Sequence, residues 1–389
     1  MSLTIPKIKL SHMLATIMLC FSYLPFSATS HTLSPNASTN NSASTNANVN
    51  TALAEQSSTM TVNDGPYVAI QSDHYLVSWV CKNKLNSIKV KLDKLPYKFN
   101  QCGLKATIDK REFTTDKVKY KGDFKIAAFS DMHGQLDLAQ ELLTNNGIID
   151  KKGNWHFGNG HLVITGDIFD RGPKVTEALW FIYQLEQQAE QAGGKIHFLL
   201  GNHEVMVLNG DLRYLHPKYN EVAKLYKQPF EQLFGKETLL GQWLRSKSVL
   251  VKINNALFAH GGFHPDLAKD KLKLKYINQV FRDNLVKANL KEPRDGLGKY
   301  LHKTNGPVWY RGYFKDDGAT SEELDIILKH FKINHLIVGH TSMNTVESHH
   351  QGRVIAIDSS LKRGQYGELL LIKGEQMWRA TLEGKKMRL

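Results

Sequence analysis

Short apolar segments alternate with longer helix-like segments through the middle of this chain, and this alternation constrains the fold more than any other feature. We predict buried strands at Phe124–Phe129, His161–Ile164, Ile196–Leu200, Ala256–Ala259 and His335–Val338. We predict helices between them at Leu136–Asn145, Val175–Ala192, Tyr276–Leu290 and Ser321–Phe331. The chain then returns to strands at Arg353–Ala356, Glu368–Ile372 and Met377–Leu382. Strands that alternate with helices indicate a layered α/β domain.

Each predicted strand of the alternating region runs into a cluster of Gly, Asp, Asn or His residues. The candidate metal ligands in these clusters are Asp131, His133, Asp167, Asn202, His260 and His340. Ligands of α/β domains bind at the carboxyl ends of strands, so we expect these side chains to lie together. Carboxylate, imidazole and amide donors without a thiolate suit manganese, iron or zinc. The set is too large for one tetrahedral ion and fits two divalent ions that share a carboxylate and a water.

Two of the clusters carry specific motifs: Gly-Asp-x-x-Asp-Arg-Gly at 166–172 and Gly-Asn-His-Glu at 201–204. With Asp-x-His-Gly at 131–134 and His-Gly-Gly at 260–262, they resemble the signatures of the calcineurin-like metallophosphoesterases, in the phosphoprotein phosphatase branch. The Gly-His-Thr segment at 339–341 is most similar to the bacterial-type, Shewanella-like group of that branch. The resemblance covers about Lys125 to Asp358 and implies a metallophosphoesterase β-sandwich flanked by helices.

The resemblance implies how the metal ions are held. Asp131, His133 and Asp167 would bind the first ion. Asp167 would bridge to a second ion, whose other ligands would be Asn202, His260 and His340. A hydroxide between the two ions would attack phosphorus.

The resemblance also implies catalytic roles for side chains that do not bind metal. His203 would be the general acid that protonates the leaving oxygen, and Asp170 would orient its imidazole. Arg171 would bind the phosphate, and Arg311 is the best match to a second phosphate-binding arginine. Glu204 is expected to orient its loop rather than to touch a metal ion.

The activity implied is metal-dependent hydrolysis of phosphate monoesters, in phosphoproteins, with phosphotyrosine as a candidate preference, or in small aryl phosphates. Two alternatives stay open: a dinucleoside polyphosphate hydrolase of the same superfamily, and a non-catalytic phosphoprotein-binding module. The complete set of ligands, general acid and phosphate arginine argues against the binding module. The formal net charge of +13 suits an anionic ligand, but no aromatic-basic motif of nucleic-acid binding occurs.

The N-terminus has the layout of an export signal. Lys7 and Lys9 precede an apolar stretch from Met13 to Phe26, and small residues follow it. We predict a signal peptide at 1–30 and a flexible leader rich in Asn, Ser and Thr at 31–62. No apolar run reaches the ~20 residues that span a bilayer. The mature chain is therefore expected to be periplasmic or secreted, without a membrane span.

Between the leader and the α/β domain, period-two alternation indicates a small accessory β module at 63–122, and the phosphoesterase domain would occupy 123–389. Cys81 and Cys102 lie in this module. In an oxidising compartment such a pair most simply forms a disulfide, and two free, buried thiols are the alternative.

Overall fold

The structure is a computed structural model that describes residues 61–109, 112–287 and 292–389. The predicted signal peptide at 1–30 and nearly all of the predicted leader lie outside the described residues. The strands of the described part are β1 (Asp64–Ile70), β2 (His74–Cys81), β3 (Lys84–Lys91), β4 (Tyr97–Gln101), β5 (Leu104–Ile108), β6 (Lys119–Tyr120), β7 (Ile126–Phe129), β8 (His161–Ile164), β9 (Lys195–Phe198), β10 (Leu250–Ile253), β11 (Ala256–Ala259), β12 (His335–Val338), β13 (Glu347–His349), β14 (Val354–Ala356), β15 (Glu368–Lys373), β16 (Gln376–Thr381) and β17 (Lys386–Arg388). The α-helices are α1 (Leu136–Asn145), α2 (Val175–Gln191), α3 (Asn202–Leu208), α4 (Pro217–Tyr226), α5 (Leu239–Ser246), α6 (Asp266–Lys269), α7 (Leu274–Asp283), α8 (Gly296–Leu301) and α9 (Ser321–Phe331).

Two six-stranded sheets share an apolar core. The first has the order β17-β16-β15-β7-β8-β9, and the second has the order β13-β14-β12-β11-β10-β6. In the first sheet β7, β8 and β9 are parallel to one another. In the second sheet β11, β12 and β14 are parallel. Each sheet therefore presents the carboxyl ends of three neighbouring strands along one edge.

The side chains of β7 alternate between two apolar layers. Ile126 and Ala128 pack between the sheets with Val163 of β8 and Phe258 of β11. Ala127 points the other way, into the larger core that includes the helices. Because both faces of this strand are buried, its sequence is an uninterrupted apolar run rather than an alternating one.

A small β module precedes the two large sheets. Strands β1, β2 and β3 form an antiparallel sheet, and β4 pairs with β5 in a separate hairpin. A disulfide joins Cys81 at the end of β2 to Cys102 in the hairpin turn, with their Cα atoms 5.9 Å apart. Helix α2 packs against β1 and β5 of the module and against β9 of the first large sheet. Helix α2 thus packs against both the module and the first large sheet, whose strands β7, β8 and β9 lead into predicted site residues.

Replacing both disulfide cysteines, Cys81→Ser with Cys102→Ser, should lower the free energy of unfolding by about 3 kcal/mol. The cross-link joins residues separated by 21 positions, and it restricts the unfolded chain. Thermal unfolding of the wild type and the double variant, each with and without reductant, measures the effect. Reductant should lower the melting temperature of the wild type alone, and an unresponsive wild type would contradict the prediction.

The predicted fold class, a layered α/β sandwich with a small N-terminal β module, is confirmed. The strands that were predicted to lead into the site are all present, with ends that differ by two residues at most. No helix of the described part has the length and hydropathy needed to cross a bilayer.

The predicted helix Tyr276–Leu290 is wrong at its carboxyl end, because α7 ends at Asp283. Arg294 donates to the carbonyl oxygens of Asn284 at 2.6 Å and Leu285 at 2.8 Å. The side chain of Arg294, from a later segment, thus satisfies carbonyl groups that directly follow the end of the helix. Apolar periodicity alone cannot reveal such a distant partner.

Candidate metal centre and active site

The loops that follow five parallel strands bring the six candidate metal ligands together. Asp131 and His133 follow β7, Asp167 follows β8, Asn202 follows β9, His260 follows β11, and His340 follows β12. All six side chains are buried. Backbone contacts connect these loops. The backbone N–H of His340 donates to Asp131 Oδ2 at 3.0 Å, from the second sheet to the first, and that of Gly339 donates to the carbonyl of His260 at 2.7 Å within the second sheet.

Asp167 lies at the centre of the cluster. Its Oδ2 is 3.2 Å from Nε2 of His260, 3.5 Å from Nε2 of His133 and 3.9 Å from Nε2 of His203. Its Oδ1 accepts a hydrogen bond of 2.9 Å from the backbone N–H of His203. One oxygen of Asp167 is thus fixed by the backbone, and the other is available to ligands on both sides.

Backbone carbonyls orient two of the imidazoles. Nδ1 of His133 lies 2.6 Å from the carbonyl oxygen of Phe169, and Nδ1 of His260 lies 2.8 Å from that of Thr165. A carbonyl can only accept, so Nδ1 carries the proton and Nε2 faces the cluster, as is usual for metal-binding histidines. Nε2 of His133 is buried and has no hydrogen-bond partner. Such an orphaned nitrogen fits a metal ligand.

The donor atoms form two groups that share Asp167. One group contains His133, Asp167 and His203, and the other contains Asp167, His260 and His340, with the possible ligand atoms of each group within 4.8 Å of one another. Asn202 Oδ1 lies 2.9 Å from His260 Nε2, and Asp131 Oδ1 lies 3.8 Å from His133 Nε2. These residues therefore fit two divalent cations with a common carboxylate.

The buried carboxylates of the cluster shift one another's pKa values and those of the imidazoles. Burial, together with Asp358 and Asp167, raises the pKa of Asp131 to about 7. Burial alone would lower the pKa of His260, but Asp167 and Asp131 outweigh it and raise that pKa to about 9. Both shifts mean that the site takes up positive charge readily, as expected of a cation site.

Several ligand-bearing residues have a backbone conformation that L-residues rarely adopt. Asp131, His133, Asp167 and His340 have φ values of 54°, 43°, 59° and 63°. Each left-handed residue costs on the order of 1–3 kcal/mol, and such residues cluster at functional sites. At each of these positions, just beyond the end of a strand, the positive φ changes the direction of the chain.

Glu204 connects two of these loops through hydrogen bonds, as expected from the sequence. Its carboxylate accepts hydrogen bonds from the backbone N–H groups of Gly201 at 2.6 Å, Ile168 at 2.7 Å and Asp167 at 2.9 Å. These bonds connect the loop after β8 to the start of α3.

His203 has the surroundings of a proton donor. Its Nδ1 lies 2.5 Å from Asp170 Oδ2, and its Nε2 points toward the cluster, 3.5 Å from a guanidinium nitrogen of Arg171. Burial lowers the pKa of His203, but Asp167 and Asp170 outweigh it, so that the net pKa is raised. The neighbouring carboxylates therefore favour the protonated imidazole, and Asp170 fixes its orientation.

Arg171 and Arg311 lie on either side of the cluster. Arg171 contacts His203, and the guanidinium of Arg311 donates to the carbonyl oxygen of His340 at 2.8 Å. Each arginine thus has its planar fork beside one of the two donor groups. The predicted site residues are brought to one place, and their roles in metal binding and catalysis stay predictions.

Two residues near the cluster were missed by the sequence reasoning. Tyr214, 45% exposed, lies under the guanidinium of Arg171 at 5.2 Å, and its ring centre is 5.3 Å from that of His203. Lys362 Nζ lies 2.9 Å from Asp358 Oδ2 and 3.7 Å from Asp131 Oδ1. Tyr214 lies in a loop and Lys362 in a single 3-10 turn, Leu361–Arg363, and both are too short to show periodicity. Neither residue belongs to a recognised motif.

A buried cluster of carboxylates and imidazoles beside two arginines is the arrangement with which metal-dependent phosphoester hydrolases bind a phosphate. Comparison with family models agrees, because residues 124–343 match the calcineurin-like phosphoesterase family. The match covers more than half of the chain, and the protein belongs to this family.

Individual relatives confirm the resemblance to the Shewanella-like group. The crystal structure of a cold-active protein-tyrosine phosphatase of a psychrophilic Shewanella species is 43% identical, with a TM-score of 0.80, and the match covers 84% of this chain and 99% of that one. An uncharacterised protein of Schizosaccharomyces pombe is 30% identical over 67% of this chain and 79% of its own. Shewanella-like protein phosphatase 1 of Plasmodium berghei is 29% identical over 58% of this chain and 63% of its own.

Proposed function

We propose that this protein is a metal-dependent phosphatase that hydrolyses phosphate monoesters in proteins, with phosphotyrosine preferred, and that it acts in the periplasm or outside the cell. The observation that carries the proposal is the buried cluster around Asp167, with His203 and two arginines beside it. The tyrosine preference rests on the 43% identical structure, which is that of a protein-tyrosine phosphatase.

Two divalent ions, of manganese, iron or zinc, would be held by Asp131, His133, Asp167, Asn202, His260 and His340, and would supply Lewis acidity and an activated water. Arg171 and Arg311 bind the non-bridging oxygens of the phosphate from two sides. His203 donates the proton from Nε2 to the leaving oxygen, and Asp170 keeps the imidazole in the right orientation.

Tyr214 fits an aryl leaving group. Its exposed ring lies beside both the proton donor His203 and the phosphate arginine Arg171. An aryl ring whose phosphate is bound by Arg171 would come close to this ring, and aromatic pairs contribute ~0.5–1.5 kcal/mol. On the other side of the site, a cavity of about 510 Å³ lined by Trp309, Tyr310 and Arg311 has room for the neighbouring peptide residues.

Tyr214→Ala should raise KM for a phosphotyrosyl peptide roughly threefold to tenfold, because the aromatic contact is lost. The KM for a phosphoseryl peptide should change less than twofold, since an alkyl ester has no ring to stack. Steady-state kinetics on the two peptides measure the difference. Tyr276→Ala, at another exposed tyrosine, serves as the control. Equal changes in KM on both peptides would contradict the contact.

The proposed function is tested by phosphate release from a phosphotyrosyl peptide, a phosphoseryl peptide and diadenosine tetraphosphate. Each is assayed after chelation and again with added manganese. Metal-restored turnover, fastest on the phosphotyrosyl peptide, supports the proposal. Turnover of the dinucleotide alone would assign the protein to the dinucleoside polyphosphate hydrolases, and binding without turnover would assign it to the binding modules.

The extracytoplasmic location is supported by the disulfide Cys81–Cys102, because such bonds persist in oxidising compartments. Expression of the full chain followed by cell fractionation tests it. The proposal expects chains shortened at or near residue 30 in the periplasm or medium, and full-length chains in the cytoplasm would overturn it.

A further inference from the structure

The ammonium group of Lys218, on α4, is buried and has three acceptors around it. It forms an ion pair of 2.8 Å with Asp64 of the N-terminal β module and one of 3.0 Å with Glu177 of α2. Its third partner is the backbone carbonyl of Pro173, at 2.7 Å. The ammonium thus donates hydrogen bonds to Pro173 and Glu177 and forms a close ion pair with Asp64.

Pro173 lies directly after the motif that contains Asp170 and Arg171. Its carbonyl oxygen accepts a second hydrogen bond, of 2.9 Å, from the hydroxyl of Tyr219, the neighbour of Lys218. The side chain of Lys218 thus connects Asp64 of the N-terminal module to Pro173, the residue that directly follows the motif with Asp170 and Arg171.

A second, apolar contact runs from the module to the same motif. Tyr67 of β1 packs its ring edge against Phe234, with ring centres 5.7 Å apart. Phe234 packs in turn against Phe169 of the motif, at 5.0 Å. The hydroxyl of Tyr67 also donates to Asp64 Oδ2 at 2.5 Å. The aromatic contacts of Tyr67 and the ion pair of Asp64 are therefore linked.

The turn that these contacts reach is strained. Asp170 and Arg171 have φ values of 70° and 66°, so two successive residues with side chains occupy the left-handed region. Strained backbone of this kind persists only when surrounding contacts hold it. Arg171 carries the phosphate-binding guanidinium, and Asp170 contacts His203, so a relaxed turn would displace both.

We propose that Asp64 and Lys218 are positioning residues: through the Pro173 carbonyl, the N-terminal β module holds the Asp170–Arg171 turn in its working conformation. The inference rests on the proposed function, because it assigns the module a part in that reaction. Neither residue touches the substrate, and each acts through Asp170 on the proton donor His203.

The effect of such a pair on catalysis differs from that of a purely structural contact. A displaced Asp170 leaves His203 poorly oriented as the proton donor. Proton donation matters for an ester with a poor leaving group, such as phenyl phosphate, and little for 4-nitrophenyl phosphate, whose leaving group needs no proton. A variant that only unfolds a fraction of the chains loses the same share of both activities.

The test compares kcat on phenyl phosphate and 4-nitrophenyl phosphate for the full manganese-loaded chain and its variant Asp64→Asn. We expect kcat on phenyl phosphate to fall about tenfold further than kcat on 4-nitrophenyl phosphate, because a displaced Arg171 lowers both rates alike and a displaced Asp170 impairs proton donation. Asp73→Asn is the matched control, since Asp73 is an exposed aspartate of the same module that forms an ion pair with His74. Thermal unfolding confirms that each variant is folded at the assay temperature.

An unchanged ratio of the two rates in Asp64→Asn would overturn the inference, whether activity is lost or kept. If Asp64→Asn does not accumulate as folded protein, Tyr67→Phe decides by the same ratio, because it removes the nearer of the two hydroxyls that donate to Asp64 Oδ2, those of Tyr67 and Thr176. A wild type that hydrolyses neither ester would instead overturn the proposed function. The two failures are therefore distinguishable.

Discussion

His203→Ala should lower kcat on phenyl phosphate by roughly 10²–10⁴, the usual contribution of a general acid. The imidazole has Asp170 on one side and the cluster on the other, and Asp167 and Asp170 raise its pKa, which favours the protonated form. Without it, the phenolate must leave unprotonated. The loss on 4-nitrophenyl phosphate should be far smaller, because nitrophenolate leaves readily.

The matched control for this prediction is His349→Ala, which removes a half-exposed histidine that pairs with Glu347. It should leave both rates unchanged. Equal losses on the two esters in His203→Ala would contradict the role of proton donor and would indicate that His203 acts through metal binding, which metal content measures directly.

Asp167→Asn should lower kcat by more than about 10³ and reduce the metal content from two ions per chain to one or none. The amide can keep the hydrogen bond from the backbone of His203, so the loop is expected to fold. It cannot supply the negative charge that lies 3.2 Å from His260 and 3.5 Å from His133. Both donor groups lose their shared ligand at once.

Elemental analysis of the purified variant and steady-state kinetics measure these two effects together. Asp137→Asn is the control, since Asp137 is an exposed aspartate paired with Lys174. A variant Asp167→Asn that still binds two ions would show that Asp167 is not the bridge.

The strands that position the site could be predicted from the sequence, because their apolar runs are short, buried on both faces and followed at once by polar motifs. The candidate ligands were predicted from those motifs, each of which is local in sequence. Tyr214 and Lys362 could not be found in the same way, since Tyr214 reaches the site from a loop and Lys362 from a single 3-10 turn. Their positions depend on how distant segments pack.

The role of the N-terminal module was also beyond the sequence. The proposed role of Asp64 depends on its contact with Lys218 and, through Lys218, with Pro173. No local sequence pattern connects these three positions. The prediction of the end of α7 was wrong for a similar reason, because Arg294 bonds the carbonyl of Asn284 from a segment beyond the helix. Local chemistry was predictable, and contacts between distant polar groups were not.

The most direct test of the account is a parallel titration of the chelated wild type with manganese. Calorimetry counts the ions bound per chain, and phosphate release from a phosphotyrosyl peptide follows activity at each addition. We expect two ions per chain and activity that is absent after chelation and returns as the sites fill. Turnover that persists in the chelated protein, or a protein that binds no manganese, iron or zinc, would contradict a two-metal phosphatase.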